Sequence, residues 1–224
     1  MRAGSEVPVA ELAGWVSTRV PGNCRYILGI AGPPAAGKST LAQNLAAAIT
    51  AAHGVGAEIA PMDGFHRTSA ELDAAGARHR KGQPDTFDVS GFVARLKLLR
   101  EAPLGEHVPW PIYDRELHDP VPDAITFADQ QIAVVEGNYL LLDQPGWVEV
   151  RSQLDEVWYL DADDTVIEQR LTDRHLLAGK TAEQAHTKIT DSDLPNARLI
   201  AHTRGHADTV LRETSGNYLI CEVR

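Results

Sequence analysis

Tyr26-Ile27-Leu28-Gly29-Ile30-Ala31-Gly32-Pro33-Pro34-Ala35-Ala36-Gly37-Lys38-Ser39-Thr40 is the stretch on which the reading of this chain turns. A compact apolar run from Tyr26 to Ala31 gives way to a glycine- and proline-rich turn. An alanine-rich segment then runs from Lys38 to about Ala52 and closes at His53-Gly54. The pattern predicts strand, loop, helix. Within it, Gly32-Pro33-Pro34-Ala35-Ala36-Gly37-Lys38-Ser39 fits G-x-x-x-x-G-K-[ST], and it falls between a strand and a helix start, where such a loop works. Glycines let backbone N–H groups turn inward around an anion, and the helix dipole adds partial positive charge. Gly32 through Thr40 are therefore the expected cradle of a nucleoside triphosphate, with Lys38 reaching the β and γ phosphates and the Ser39 hydroxyl ligating magnesium. A glycine-rich turn that only caps a helix is the bland alternative.

Upstream, Val9, Leu12, Ala13, Val16 and Val20 recur at roughly helical spacing until Pro21-Gly22, which predicts a helical extension (residues 1–24) ahead of the main fold. Downstream, Ala57 to Pro61 reads as a second strand, ending in Met62-Asp63-Gly64-Phe65-His66. A polar stretch of about twenty residues then leads to a helix with Phe92, Val93, Leu96 and Leu99 on one face, and its length for a loop points to function. Ile132 to Val135, ending at Glu136-Gly137, and Glu156 to Leu160, ending at Asp161, are continuous apolar runs of the kind covered on both faces. Helical stretches follow at Thr165–Leu177 and from Ala182 to about His202. The alternation predicts one α/β domain over residues 1–224, with a mainly parallel central sheet flanked by helices.

The chain has 224 residues, 43% of them apolar and 23% charged, enough for one substantial core. Lys and Arg total 21 against 31 Asp and Glu, a net charge of -10, which argues against nucleic acid or an anionic membrane as partner. Cys24 and Cys221 stand far apart with no C-x-x-C pairing, and no signal-like or membrane-spanning apolar stretch occurs. A cytoplasmic protein is expected, as monomer or homo-oligomer.

Beyond the loop, Met62-Asp63-Gly64-Phe65-His66, Lys81-Gly82-Gln83-Pro84-Asp85-Thr86-Phe87-Asp88, Pro111-Ile112-Tyr113-Asp114, Val134-Val135-Glu136-Gly137 and Asp193-Leu194-Pro195-Asn196 occur in that order. With these elements the chain, over most of residues 26 to 212, resembles the P-loop small-molecule kinases that include uridine kinase, phosphoribulokinase and bacterial pantothenate kinase, together with a group named fructose transport system kinases. The Asp-Gly-Phe and Lys-Gly-x-Pro elements look like the pantothenate kinase branch, whereas Glu-Gly-Asn-Tyr and Leu-Pro-Asn-Ala look like the fructose kinase group. No Asn-Lys-x-Asp segment for guanine is present.

The resemblance implies the fold of P-loop nucleoside triphosphate hydrolases, ATP and magnesium, and a small-molecule hydroxyl as acceptor: a sugar or nucleoside first, pantothenate second. It implies that Asp63 meets the acceptor hydroxyl as base or orienter, a solvated turn aspartate being the alternative. Glu136, where a Walker B acid would stand, is expected in the magnesium shell or at the substrate, against a purely structural carboxylate. Arg170 and Arg174, four apart on one helix face, would belong to a lid over residues 165–180 that neutralises charge on the transferred group, with Gly179 as its hinge; a solvated charged face is the alternative. Asn138 and Tyr139 could line the acceptor pocket, although Tyr139 precedes Leu140-Leu141-Leu142 and fits a core equally. Arg80 and Lys81, in the basic cluster Arg78-His79-Arg80-Lys81, could meet an anionic group. Phe65, His66, Trp110, Tyr113 and Arg115 are pocket candidates by resemblance alone. Asp161, Asp163 and Asp164 are expected to cap the following helix, and His202 with His206 offers only two metal-type ligands. A regulatory ATP-binding protein without an acceptor is the competing class.

Overall fold

The computed structural model describes residues 1–22 and 24–224. A two-residue strand, β1 (Glu6–Val7), precedes helix α1 (Val9–Ser17). Next come β2 (Tyr26–Ala31), α2 (Lys38–His53) and β3 (Ala57–Pro61), followed by short α3 (Ser69–Ala74) and α4 (Val89–Glu101). Strands β4 (Val108–Asp114) and β5 (Asp119–Phe127) form a separate antiparallel hairpin before β6 (Ile132–Gly137), α5 (Val148–Arg151) and β7 (Glu156–Asp161). Helices α6 (Asp164–Leu177), α7 (Ala182–Lys188) and α8 (Leu194–Ala201) follow, the last two joined by a π-helical turn, Ile189–Asp193. A second hairpin, β8 (Thr209–Thr214) and β9 (Asn217–Val223), ends the described fold.

The main sheet runs β1-β9-β8-β7-β2-β6-β3, parallel from β8 through β3, with β9 antiparallel to β8 and β1 antiparallel to β9. Every residue of β2 and of β6 is buried, as continuous apolar runs require. Alternate residues feed two cores. Leu28, Ile30, Val134, Trp158 and Leu160 pack with α1 and α2 on one face. Ile27, Ala31, Ala133, Val135 and Tyr159 pack with α4 and the β4–β5 hairpin on the other. No helix among the described residues is long and apolar enough to cross a membrane.

Several expectations need correction. Residues 6–7 do not stand ahead of the fold, because Glu6 pairs with Leu219 and Val7 with Tyr218 at the sheet edge. The polar stretch after His66 is not a bare loop: Thr68 and Glu71 close a capping box on α3, and 3-10 turns follow at Arg78–Arg80 and Pro84–Thr86. Asp163 occupies the N-cap position of α6 without a side-chain cap bond; its carboxylate pairs instead with Arg212 at 3.1 Å, and Asp161 also holds Arg212 at 3.1 Å. Guanidinium groups outcompete free N–H groups for these oxygens.

Arg25, immediately before β2, is only 2% exposed. Its Nε donates to Gln130 O at 3.1 Å, and its two terminal nitrogens donate to Leu99 O, Ala102 O and Ala128 O. Leu99 and Ala102 lie at the C-terminal end of α4, where carbonyls lack helical partners, so one side chain satisfies α4 and the turn before β6 together. Burial pulls the guanidinium below its usual pKa, with Asp129 and Glu106 offsetting the effect. Arg25→Met, which keeps the stem but removes the donors, should lower stability by about 3 kcal/mol in urea unfolding, with Arg25→Lys intermediate. An unchanged midpoint would mean that water satisfies the carbonyls instead.

Candidate active site

Strand register places the chemistry. Ala31, the last residue of β2, is level with Gly137 of β6, and Pro61, the last of β3, is level with Glu136. The chain leaves β2 for β3 on one side, while β7 pairs with β2 on the other, so β2 borders a switch point at the carboxyl edge of the sheet. The phosphate loop, Glu136 and Asp63 thus emerge together. They line a cleft of about 570 Å³, along with Asn138, Arg115, Arg170 and Arg174.

Gly37 caps α2 at φ 103°, a left-handed conformation that a side chain would strain, and the helix N-terminus behind it opens on the cleft. Lys38 is buried, and its Nζ donates to Pro33 O at 2.8 Å and to Asn138 Oδ1 at 2.7 Å. Burial pushes this ammonium down to about 8, although the Glu136 and Asp63 carboxylates pull it upward. Burial, reinforced by the Asp63 charge, likewise pushes the Glu136 carboxyl up to about 7, while Lys38 opposes the rise. The two groups are desolvated against each other, a state that an incoming anion and cation would relieve.

Asp63 rides a 3-10 turn, Met62–Phe65, whose apolar residues fix its direction. Met62 and Phe65 are buried, and Phe65 packs against Phe92 and Trp110 with ring centroids 5.0 and 5.2 Å apart. Trp110 Nε1 donates to Pro61 O at 3.0 Å, tying the hairpin to the end of β3. Among the described residues the Asp63 carboxylate accepts no hydrogen bond; only its backbone carbonyl is used, by His66. Across the cleft, Arg170 donates to Glu213 at 2.8 Å and to the loop carbonyls of Ala35 and Ala36 at 3.4 and 3.3 Å. Arg174, one turn further along α6, is exposed and forms no ion pair among the described residues.

Other expected pocket residues lie elsewhere. Phe65 and Tyr139 belong to the core; Tyr139 is fully buried and its hydroxyl donates to Gly82 O at 2.6 Å. The His66 ring lies 4.0 Å from Phe87 and 4.8 Å from Tyr113, and its Nδ1–H donates to Asp63 O at 2.7 Å, so it braces the Asp63 turn from behind. Burial holds its pKa below the usual imidazole value. Lys81 lies over the Tyr113 ring and pairs with Asp119 at 3.0 Å, joining the basic segment to the hairpin rather than awaiting an anion. Arg80 is paired with Asp85 at 2.6 Å. His202 and His206 hydrogen-bond separate carbonyls, of Arg198 and Leu141.

Among the cleft residues missed are Asn44, Glu213, Gly216 and Tyr218. Asn44 follows Thr40 by one helical turn, a spacing visible in the sequence. The others come from the β8–β9 hairpin, whose Ser215-Gly216 turn, at φ 50° and 92°, was a readable hairpin signal. The donor set suits a magnesium–triphosphate group: hydroxyl and carboxylate oxygens from Ser39 and Glu136 are hard ligands, and Lys38, Arg170, Arg174 and Arg115 supply positive charge.

Gly64 carries the close approach that holds the Asp63 turn, since a Cβ there would fall 2.2 Å from Pro111 O and 2.5 Å from Pro111 C. Gly64→Ala must push the turn and the hairpin apart, with an expected loss of about 1–3 kcal/mol in thermal unfolding. Full stability in this variant would show that the hairpin yields freely.

Comparison with known proteins gives the chain its relatives. The model of the Phosphoribulokinase / Uridine kinase family matches residues 27–217. Uncharacterized protein YggC of Escherichia coli (strain K12) is 33% identical over 198 residues, covering 87% of this chain and 81% of YggC. C227.14 of Schizosaccharomyces pombe, named as a candidate uridine kinase, is 34% identical over 197 residues, covering 84% of this chain and 83% of that one. The crystal structure of a candidate fructose transport system kinase from Silicibacter sp. TM1040 superposes with a TM-score of 0.83 at 35% identity, covering 92% of this chain and 98% of that one. A match over nearly the whole sheet, joined to a phosphate loop, an acid on β6 and a free carboxylate after β3, makes the chain a member of the Phosphoribulokinase / Uridine kinase family, with the P-loop kinase fold.

Proposed function

We propose that the protein is an ATP-dependent, magnesium-requiring kinase of the cytoplasm that transfers the γ-phosphoryl group to a hydroxyl of a sugar or nucleoside. The observation that carries this reading is the Asp63 carboxylate, which faces the cleft with its oxygens unengaged and its turn anchored by Phe65, Trp110 and Gly64. A nucleotide switch needs no such group. The names of the relatives, one a candidate uridine kinase and one a candidate fructose transport system kinase, favour the same acceptor classes. The net charge of -10 disfavours nucleic acid as acceptor.

In this reading Asp63 orients the acceptor hydroxyl in line with the γ phosphorus and takes its proton as the new P–O bond forms and the bond to the β-phosphate oxygen breaks, releasing ADP. Ser39 and Glu136 would hold magnesium, which would neutralise charge on the phosphates when bound. Lys38, kept in place by Asn138, meets the β and γ phosphates. The α6 segment, residues 165–180, acts as the lid: Arg170 is fixed to the loop, and Arg174 closes on the transferred group. Asn44, Gly216 and Tyr218, which also line the cleft, are left to receive the nucleoside part of ATP.

Asp63→Asn should cut acceptor-dependent ADP release by about 10²- to 10⁴-fold across a panel of fructose, other free sugars, ribulose phosphate, uridine, cytidine and pantothenate, while ATP still binds. ADP release that needs no acceptor and survives the substitution would favour a switch or ATPase instead. The two arginines should also separate. Arg174→Ala is expected to lower kcat by about tenfold or more with little change in melting temperature. Arg170→Ala should lower both, because it also loses the Glu213 and loop contacts. Equal thermal behaviour of the two variants would count against the division of labour.

A further inference from the structure

Helix α6 carries two rows of side chains next to each other. Its buried residues, Ile167, Leu171 and His175, are spaced by four, and Arg170 and Arg174 form the adjoining row that lines the cleft. Ile167 and Leu171 pack with Ile189 of the π-helical turn and Ala197 of α8, a small core of their own. At the last turn of α6 that apolar hold runs out. Leu176 is 44% exposed and Leu177 89%, so His175 is the residue of this turn that faces inward. Its Nε2 donates to Asp193 at 2.6 Å. Lys180, just past the helix, gives its backbone N–H to His175 O and its Nζ to His175 Nδ1, both at 3.1 Å. An ammonium can only donate, so Nδ1 accepts and the ring proton stands on Nε2, aimed at the carboxylate.

Asp193 is the fixed end of these contacts. It is buried, closes the π-helical turn and leads directly into α8, whose Ile200 is seated in the main core. Apolar contacts carry no direction, whereas a hydrogen bond does. Neighbouring side chains on a helix stand about 100° apart, so the bond that keeps His175 inward also keeps Arg174 turned toward the cleft. Neither His175 nor Asp193 lines the cleft itself. We propose that His175 and Asp193 are positioning residues, which hold the last turn of α6 in the rotation that presents Arg174 to the terminal phosphoryl group of the nucleotide. What Arg174 does in turnover rests on the kinase reading; its contact with the terminal phosphoryl group needs no acceptor.

The full chain is tested by ADP release with fructose, uridine and pantothenate as acceptors, and by calorimetric binding of ADP and of a non-hydrolysable ATP analogue, at a temperature where every variant is folded. The paired change His175→Leu with Asp193→Leu removes both polar groups together, so that neither is left buried alone. His175→Gln keeps an amide N–H near the place of Nε2. The paired variant should lose about tenfold or more in kcat and about threefold or more in affinity for the ATP analogue, with ADP affinity unchanged, and His175→Gln should recover most of both. Adding Arg174→Ala to the paired variant should cost nothing further in either measurement, because both changes remove the same contact. Losses that multiply on adding Arg174→Ala, equal losses for ADP and the analogue, or a His175→Gln variant no better than the paired one overturn the assignment. If no acceptor supports ADP release, yet the preference for the analogue over ADP falls in the paired variant and no further with Arg174→Ala, the positioning role stands and the kinase reading goes. Acceptor-dependent release that the paired variant leaves intact does the reverse.

Discussion

An ammonium taken out of water must be given oxygen acceptors and nearby negative charge, and Lys38 imposes that requirement on everything around it. Asn138 is positioned by the end of β6 to accept from it, the loop turns back so that Pro33 O does the same, and Glu136 and Asp63 supply the field. Each of these partners reaches Lys38 only because three parallel strands end at one level. A one-residue slip of β6 against β2 would turn Glu136 toward the opposite face and strand the lysine. The phosphate loop is therefore held by the register of the whole sheet.

The same economy governs the acceptor side. Asp63 remains unpaired because its neighbours take up the bonding that a turn would otherwise ask of it: Met62 and Phe65 go to the core, and the His66 ring takes the backbone carbonyl. Arg170 and Arg174 differ in the same sense, one committed to the loop and one left unpaired, although they share a helix face. Function here falls to the side chains that the structure does not consume.

The central strands and the phosphate loop were legible because their signals are local: buried strands read as apolar runs, and the loop is fixed by glycine conformation. The β4–β5 hairpin was illegible for a physical reason. Pro109, Pro111, Pro120 and Pro122 interrupt it, and proline-bearing strands survive only outside a central ladder, which is where this hairpin sits. Tyr139 and Lys81 show the other limit. Residue type and position suited a pocket, but their hydrogen-bond partners, Gly82 and Asp119, lie far away in sequence.

The central position of β2 also bears on how the protein comes into being. Both of its edges are satisfied by strands much further along the chain, Tyr26 pairing with Ile132 and Leu28 with Glu156. As the chain is synthesised, β2 emerges before β6 and β7, and only their arrival closes the ladder on its two edges. Non-local parallel pairing of this kind folds slowly. The nucleotide loop thus leans on strands that lie after it in the chain. Until those strands arrive, α1 and α2, which follow one another closely in sequence and share a core, are the elements best placed to shield β2 from other chains.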